Sequence, residues 1–151
     1  MLWPQVVETD FNKNTMMKYL SCLLFGVASL MSLTACGQKK FTGTFSNGYK
    51  GAKLSFVLSA DEKQIKDFTF TGYWRCAGST ENITAGPEKT FAVTNGEVHG
   101  VITDPENGGA SAFRFSLDGI IKGKTASGTF RMSITGLSCD TYLLNWTAKT
   151  K

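Results

Sequence analysis

Four cysteines and one histidine limit the chemistry that this 151-residue chain can do. His99 is the single imidazole, so any serine or cysteine nucleophile needing a histidine base would have to use it. It stands three residues after the turn signal Asn95-Gly96, where a histidine is expected to face solvent. Gly109-Ala110-Ser111-Ala112-Phe113 begins like a nucleophile elbow but lacks the final glycine and the helix that must follow. Gly119-Ile120-Ile121-Lys122-Gly123-Lys124-Thr125 approaches a phosphate-binding loop. That loop needs four residues between its glycines, and Asp118 holds the place where the first should be. One histidine without a C-x-x-C pair cannot assemble a closed zinc site, so no metal and no cofactor are expected. Asp104, Glu106 and Asn107 put oxygens on a glycine-rich loop but match no calcium-loop spacing, and an ordinary polar turn is the expectation. Glycoside hydrolysis needs two facing carboxylates, and no spacing among the acidic residues singles out a pair. No catalytic residue emerges, and a non-enzymatic role is the expectation.

Charge narrows the partners. Of 16 basic and 12 acidic residues, two of each precede Cys36, which leaves 14 and 10 after it. The excess is scattered, apart from the pair Lys39-Lys40, and no basic stripe interleaved with aromatics points to nucleic acid. A basic pair close to a membrane would favour anionic headgroups by roughly 1 kcal/mol per charge.

The segment Tyr19–Leu33 is apolar and uncharged, with Lys18 just before it, as in an export signal. It ends in Leu33-Thr34-Ala35-Cys36, followed by Gly37. This resembles the lipobox of bacterial lipoproteins, in which an aliphatic and two small residues precede a cysteine. The resemblance implies that Cys36 takes a thioether-linked diacylglycerol, that residues 1–35 are removed as a signal peptide, and that the new amine is acylated, with palmitate the usual chain. Two or three chains at ~0.8 kcal/mol per buried methylene anchor a protein stably. Cys22 lacks the aliphatic residue three places upstream and leaves with the signal. The alternative is an uncleaved span, for which 17 residues from Tyr19 to Ala35 are at the short limit. Glu8 and Asp10 do not suit an n-region, so Met16 or Met17 is the expected start, with residues 1–15 an over-called extension. The implied address is the cell envelope. Gly37 rather than aspartate after the cysteine makes the outer membrane the default where the host has one.

Residues 36–40 then read as a tether and 41–151 as one domain, long enough for one modest core and not two. Alternation of period two dominates it. Leu54, Phe56 and Leu58 alternate with serine. Phe68, Phe70, Trp74 and Cys76 share one parity, and Thr69, Thr71, Tyr73 and Arg75 the other. Phe91–Thr94 meets Glu97–His99 across Asn95-Gly96, the strongest short hairpin signal. Phe113-Phe115-Leu117 runs into Asp118-Gly119, read as a second hairpin turn. Phe130-Met132-Ile134 and Tyr142-Leu144-Trp146-Ala148 supply the last strands. Together these predict an all-β, antiparallel β-sandwich of roughly eight short strands.

Cys76 and Cys139 are the cysteines left after Cys36, and an exported pair without other partners reads as one disulfide, two buried thiols being the alternative. Ala126-Ser127-Gly128-Thr129-Phe130-Arg131, then Cys139, then Leu144-Asn145-Trp146-Thr147-Ala148, resembles the C-terminal half of a small secreted bacterial β-sandwich family. In that family an A-S-G-T-[FY] strand precedes a cysteine and a terminal W-T-A strand, and an earlier cysteine ends a middle strand. Leu54-Ser55-Phe56 and Glu97-Val98-His99-Gly100 extend the similarity over about residues 41–149. It implies the fold and the disulfide, and no activity.

The functional expectation is a lipid-anchored, non-catalytic envelope module that binds a protein, glycan or small ligand. An inhibitor of an envelope enzyme and a carboxylate-dependent hydrolase are the alternatives. The candidate binding face is Thr69, Thr71, Tyr73 and Arg75, the polar row opposite Trp74.

Overall fold

Period-two alternation becomes ten strands in the structure, a computed structural model that describes residues 37–151. The signal peptide expected over 1–35 and the lipidation site Cys36 lie outside the described residues. The strands are β1 (Lys39–Phe45), β2 (Lys53–Leu58), β3 (Gln64–Cys76), β4 (Ser79–Ala85) and β5 (Phe91–Thr94). They continue as β6 (Glu97–Asp104), β7 (Phe113–Lys122), β8 (Thr125–Ile134), β9 (Cys139–Asp140) and β10 (Leu144–Thr150). All pairings are antiparallel, and Cys76 is bonded to Cys139. The fold is all-β and sandwich-like, as the alternation predicts. β1 begins two residues inside the expected tether, because Lys39 and Lys40 pair with Leu58 and Val57 of β2.

The path of hydrogen bonds runs β10-β1-β2-β3-β5-β6-β7-β8, and β10 pairs back onto β8. The two walls of the sandwich are therefore one continuous sheet that closes on itself, which removes most exposed edges. β3 is the pivot. Its start pairs with β5, its middle with β2, its end with β4, and Arg75 reaches β9. A bulge makes this possible. Asp67 takes a φ of 50°, so Ile65 and Phe68, three apart, both point inward.

Phenylalanine fills the interior. Phe41 stacks on Phe56 at 4.9 Å, and Phe68 and Phe70 lie 5.1 and 5.3 Å from Phe130 across the core. Trp146 stands edge-on to Phe56, and its ring occupies space that a side chain at Gly119 would need, while the β7 backbone blocks one at Gly128. A Cβ at Gly119 would lie 2.6 Å from the Trp146 ring, and one at Gly128 would lie 1.9 Å from the Asp118 carbonyl oxygen.

That contact corrects the expected turn at Asp118-Gly119. β7 runs straight through both residues, Gly119 pairs with Gly128, and the chain reverses at Gly123-Lys124 instead. Asn95-Gly96 does form the hairpin between β5 and β6, with φ of 53° and 78°. Tyr142, expected to open the last strand, lies outside it. Its φ is 55°, and β10 begins at Leu144.

Candidate functional site

The parity expected in β3 holds from Phe68 onward. Phe68, Phe70 and Trp74 are buried, Tyr73 and Arg75 are exposed, and Thr69 and Thr71 are half-exposed. The outer row does not act as one site, however. Thr69 and Thr71 join Thr42, Thr44, Lys53 and Ser55 on the outer surface of β1, β2 and β3, and Thr84 donates its hydroxyl to Thr71 at 3.1 Å. Tyr73 and Arg75 open instead onto a separate cleft of about 460 Å³, in the size range of small-molecule sites.

Two further tyrosines complete that cleft. Tyr49, from the loop between β1 and β2, meets Tyr73 edge to face at 5.7 Å. Tyr142 comes from the loop between β9 and β10. The chain has four tyrosines, and all three that follow Cys36 line this one cleft. Phenylalanine and tryptophan behave oppositely, since the nine phenylalanines and two tryptophans after Cys36 are buried or packed against the core. Tyrosine, with an apolar body and a polar tip, is the aromatic that tolerates both ring contact and water. Leu143 lines the cleft too. It and the three tyrosines are four of the seven large hydrophobic side chains that the described residues expose.

The Tyr49 phenol, and to a smaller extent that of Tyr142, hold the Arg75 guanidinium above its usual pKa. In return, hydrogen bonds from Thr80 and Arg75 draw the Tyr49 phenol below its ordinary value. No carboxylate partners Arg75 among the described residues. Asp140, the one acidic residue lining the cleft, is already taken: Arg131 grips both its oxygens, and the Tyr142 amide donates to its Oδ1 at 2.7 Å.

The loop that carries Tyr142 and Leu143 is pinned on both sides. Thr141 is buried beneath it, and its hydroxyl accepts from the Met132 amide at 2.9 Å and lies 3.0 Å from the Tyr142 carbonyl oxygen. On the other side, Asn47 donates to the Leu143 carbonyl at 2.9 Å and accepts from the Asn145 amide at 2.7 Å. The disulfide ties β9 to the end of β3, next to Arg75. Tyr142 takes a left-handed φ of 55° in this pinned loop while its side chain stays exposed.

The remaining candidates stay apart. His99 is exposed and pairs with Asp118 at 3.0 Å, which raises its pKa, with Glu97 adding a smaller effect. Glu106, on the candidate calcium loop, faces Lys89, and Asp104 accepts from the Glu88 amide. No group of three or more His, Cys, Asp or Glu is arranged to hold a metal ion among the described residues.

Sequence reasoning reached Tyr73 and Arg75 by parity and missed Tyr49 and Tyr142. A signal was present for Tyr142. Tyr142-Leu143-Leu144 is a run of three apolar residues, and alternation can bury only some of them. No family model, no curated protein and no solved structure matches this chain.

Proposed function

We propose that this is a lipid-anchored, non-catalytic envelope module that binds its ligand in the tyrosine cleft. One observation carries the reading: every tyrosine of the domain, and the only exposed aromatic rings on it among the described residues, converge on one cleft around Arg75. Rigid aromatics lose little entropy on binding, and the pinned Tyr142 loop lowers the cost further.

The cleft's position agrees with an anchor at Cys36. β1 runs from Lys39, three residues after that cysteine, to Phe45 beside the cleft, and β10 runs antiparallel to it. Gln38, Lys40, Lys149 and Lys151 therefore gather at the anchored end, and Asn47, Tyr142 and Leu144 at the other. Seven residues at about 3.3 Å each separate the two ends. A domain tethered this way directs the cleft away from the lipid.

Two experiments test the reading. Cys36→Ser should leave an unprocessed precursor, and incorporation of a palmitate analogue by the variant would refute the anchor. In NMR titrations with solubilised envelope glycan and peptide fractions, the ring signals of Tyr49, Tyr73 and Tyr142 should move together. Shifts confined to other surfaces would refute the cleft.

A second reading, inhibition of an envelope enzyme, draws on the pinned loop, since Tyr142 and Leu143 project from a rigid base as an inhibitory loop does. A Leu143→Arg variant tests this reading: it should lose inhibition of the enzyme, and inhibition equal to that of the wild type would refute it.

A further inference from the structure

Arg75 is the unusual member of the cleft. It is the one Lys or Arg that lines the cleft, and unlike Lys39, Lys89 and Arg131 it makes no contact with a carboxylate among the described residues. A guanidinium carries five N–H donors in a planar fork that matches a carboxylate bidentately. The tyrosines around it bring no carboxylate to offset its charge.

The surroundings decide what kind of anion fits. A peptide adding as a strand would need open main-chain donors and acceptors along the cleft. Several of those groups on the Tyr142 loop are already taken: Asp140 takes the Tyr142 amide, Thr141 the Tyr142 carbonyl, and Asn47 both the Leu143 carbonyl and the Asn145 amide. The side chains offer ring faces, phenol hydroxyls and one cation. Ring faces suit the C–H faces of sugars, hydroxyls suit hydroxyls, and the cation suits an acid group on the sugar.

We propose that the cleft binds a carboxylate-bearing saccharide, with Arg75 pairing the carboxylate and the rings of Tyr49, Tyr73 and Tyr142 supporting the sugar faces. This rests on the reading of the cleft as the binding site. The saccharide is a polyhydroxylated acid of the uronic type, and the open cleft admits a stretch of polymer as readily as a free end.

The test uses the full chain purified in detergent, with tetramers of galacturonate and of mannuronate as probes. Each is measured beside its methyl ester, which keeps the sugar and removes the charge, and beside tetraglutamate, which keeps the charge and removes the sugar. At least one acid tetramer should bind about tenfold or more tighter than its ester, the usual scale of a charge-assisted pair. Its affinity should fall as salt is added. Arg75→Gln should bring the acid form down to the level of the ester. Tyr142→Ala should weaken both forms. Equal binding of acid and ester, tetraglutamate binding as tightly as the uronate, or no binding of either uronate would overturn the proposal. If acid and ester bind equally and both are lost in Tyr142→Ala, the carboxylate claim falls while the cleft stands. Uronate binding untouched by both substitutions would overturn the cleft and the proposal together.

Discussion

Thr141 is the residue whose replacement tests most directly how the cleft is held. Its hydroxyl is the acceptor for the Met132 amide at 2.9 Å, and Met132 is fully buried in β8. Thr141→Val keeps the side-chain shape and removes that acceptor. The Met132 N–H is then left dry and unpaired, at a cost of about 1–3 kcal/mol. The Tyr142 carbonyl also loses a donor, but it lies nearer solvent, where water replaces the bond cheaply. Thr141→Ser keeps the hydroxyl and loses one methyl, about 0.8 kcal/mol. The valine variant should therefore be the less stable, by up to about 2 kcal/mol. Urea unfolding followed by the fluorescence of buried Trp74 and Trp146 measures this. With a slope of roughly 2 kcal/mol/M, the valine midpoint should fall below the serine midpoint by up to about 1 M at unchanged slope. A valine variant as stable as the serine variant would show that the Met132 amide does not depend on Thr141, and the account of a pinned loop would fail.

Other expectations follow from burial, linkage and charge. Trp74→Ala, which removes a buried ring stacked on Phe113 at 5.9 Å, should cost on the order of 3–5 kcal/mol in the same assay. Tyr73→Ala should cost much less, since Tyr73 is 41% exposed, and a larger loss at Tyr73 would reverse the faces of β3. The Cys76–Cys139 bond spans 63 residues, so reduction should lower stability by ~4 kcal/mol in the loop-entropy model, and identical midpoints with and without reductant would contradict it. His99 has its folded pKa raised above 6.5 by Asp118, so its stabilising contribution is complete below about pH 6.5 and is lost as pH rises through the raised value. The stability gap between wild type and His99→Gln should shrink from pH 5.5 to pH 8.5, and a gap that widens would refute the pairing.

Much of the core was legible because burial on one face of a strand leaves a period-two mark. Leu54-Phe56-Leu58, Phe68-Phe70 and Phe130-Met132-Ile134 point inward as their alternation requires. β4 left no such mark. Its residues, Ser79–Ala85, are held by main-chain bonds to β3 while most of their side chains stay exposed, so nothing in their hydropathy distinguishes a strand from a loop. Asp118-Gly119 misled for a related reason. Glycine is required there by the Trp146 ring and not by a turn, and a lone sequence position does not tell the two demands apart. The cleft was half legible. Tyr73 and Arg75 share a strand and a parity, but Tyr49 and Tyr142 reach them from loops: the β1–β2–β3 meander sets Tyr49 beside the end of β3, and sheet closure, with β9 paired to β3 at Asp140, brings Tyr142 there. Closure depends on which strands pair, and periodicity carries no record of that.

The same closure sets the reach of the proposed module. Two residues, Gly37 and Gln38, separate Cys36 from the first residue of β1, so the tether spans three Cα steps, at most about 10 Å. β1 adds roughly 15–25 Å, depending on how far the strand tilts in the closed sheet. On the proposed anchoring, the cleft then lies within about 35 Å of the lipid surface and cannot extend further without unpairing Lys39 and Lys40 from β2. A longer, glycine-rich tether would let the domain search the envelope, whereas this one confines the cleft to a thin layer. On the proposed function, a polymer lying along the membrane would meet a high effective concentration of clefts in that layer, and an individually weak contact at Arg75 and three tyrosines would suffice when many anchored copies engage one chain. Lengthening the segment between Cys36 and Lys39 should therefore weaken retention of a membrane-proximal polymer on intact cells while leaving the affinity for a free tetramer unchanged.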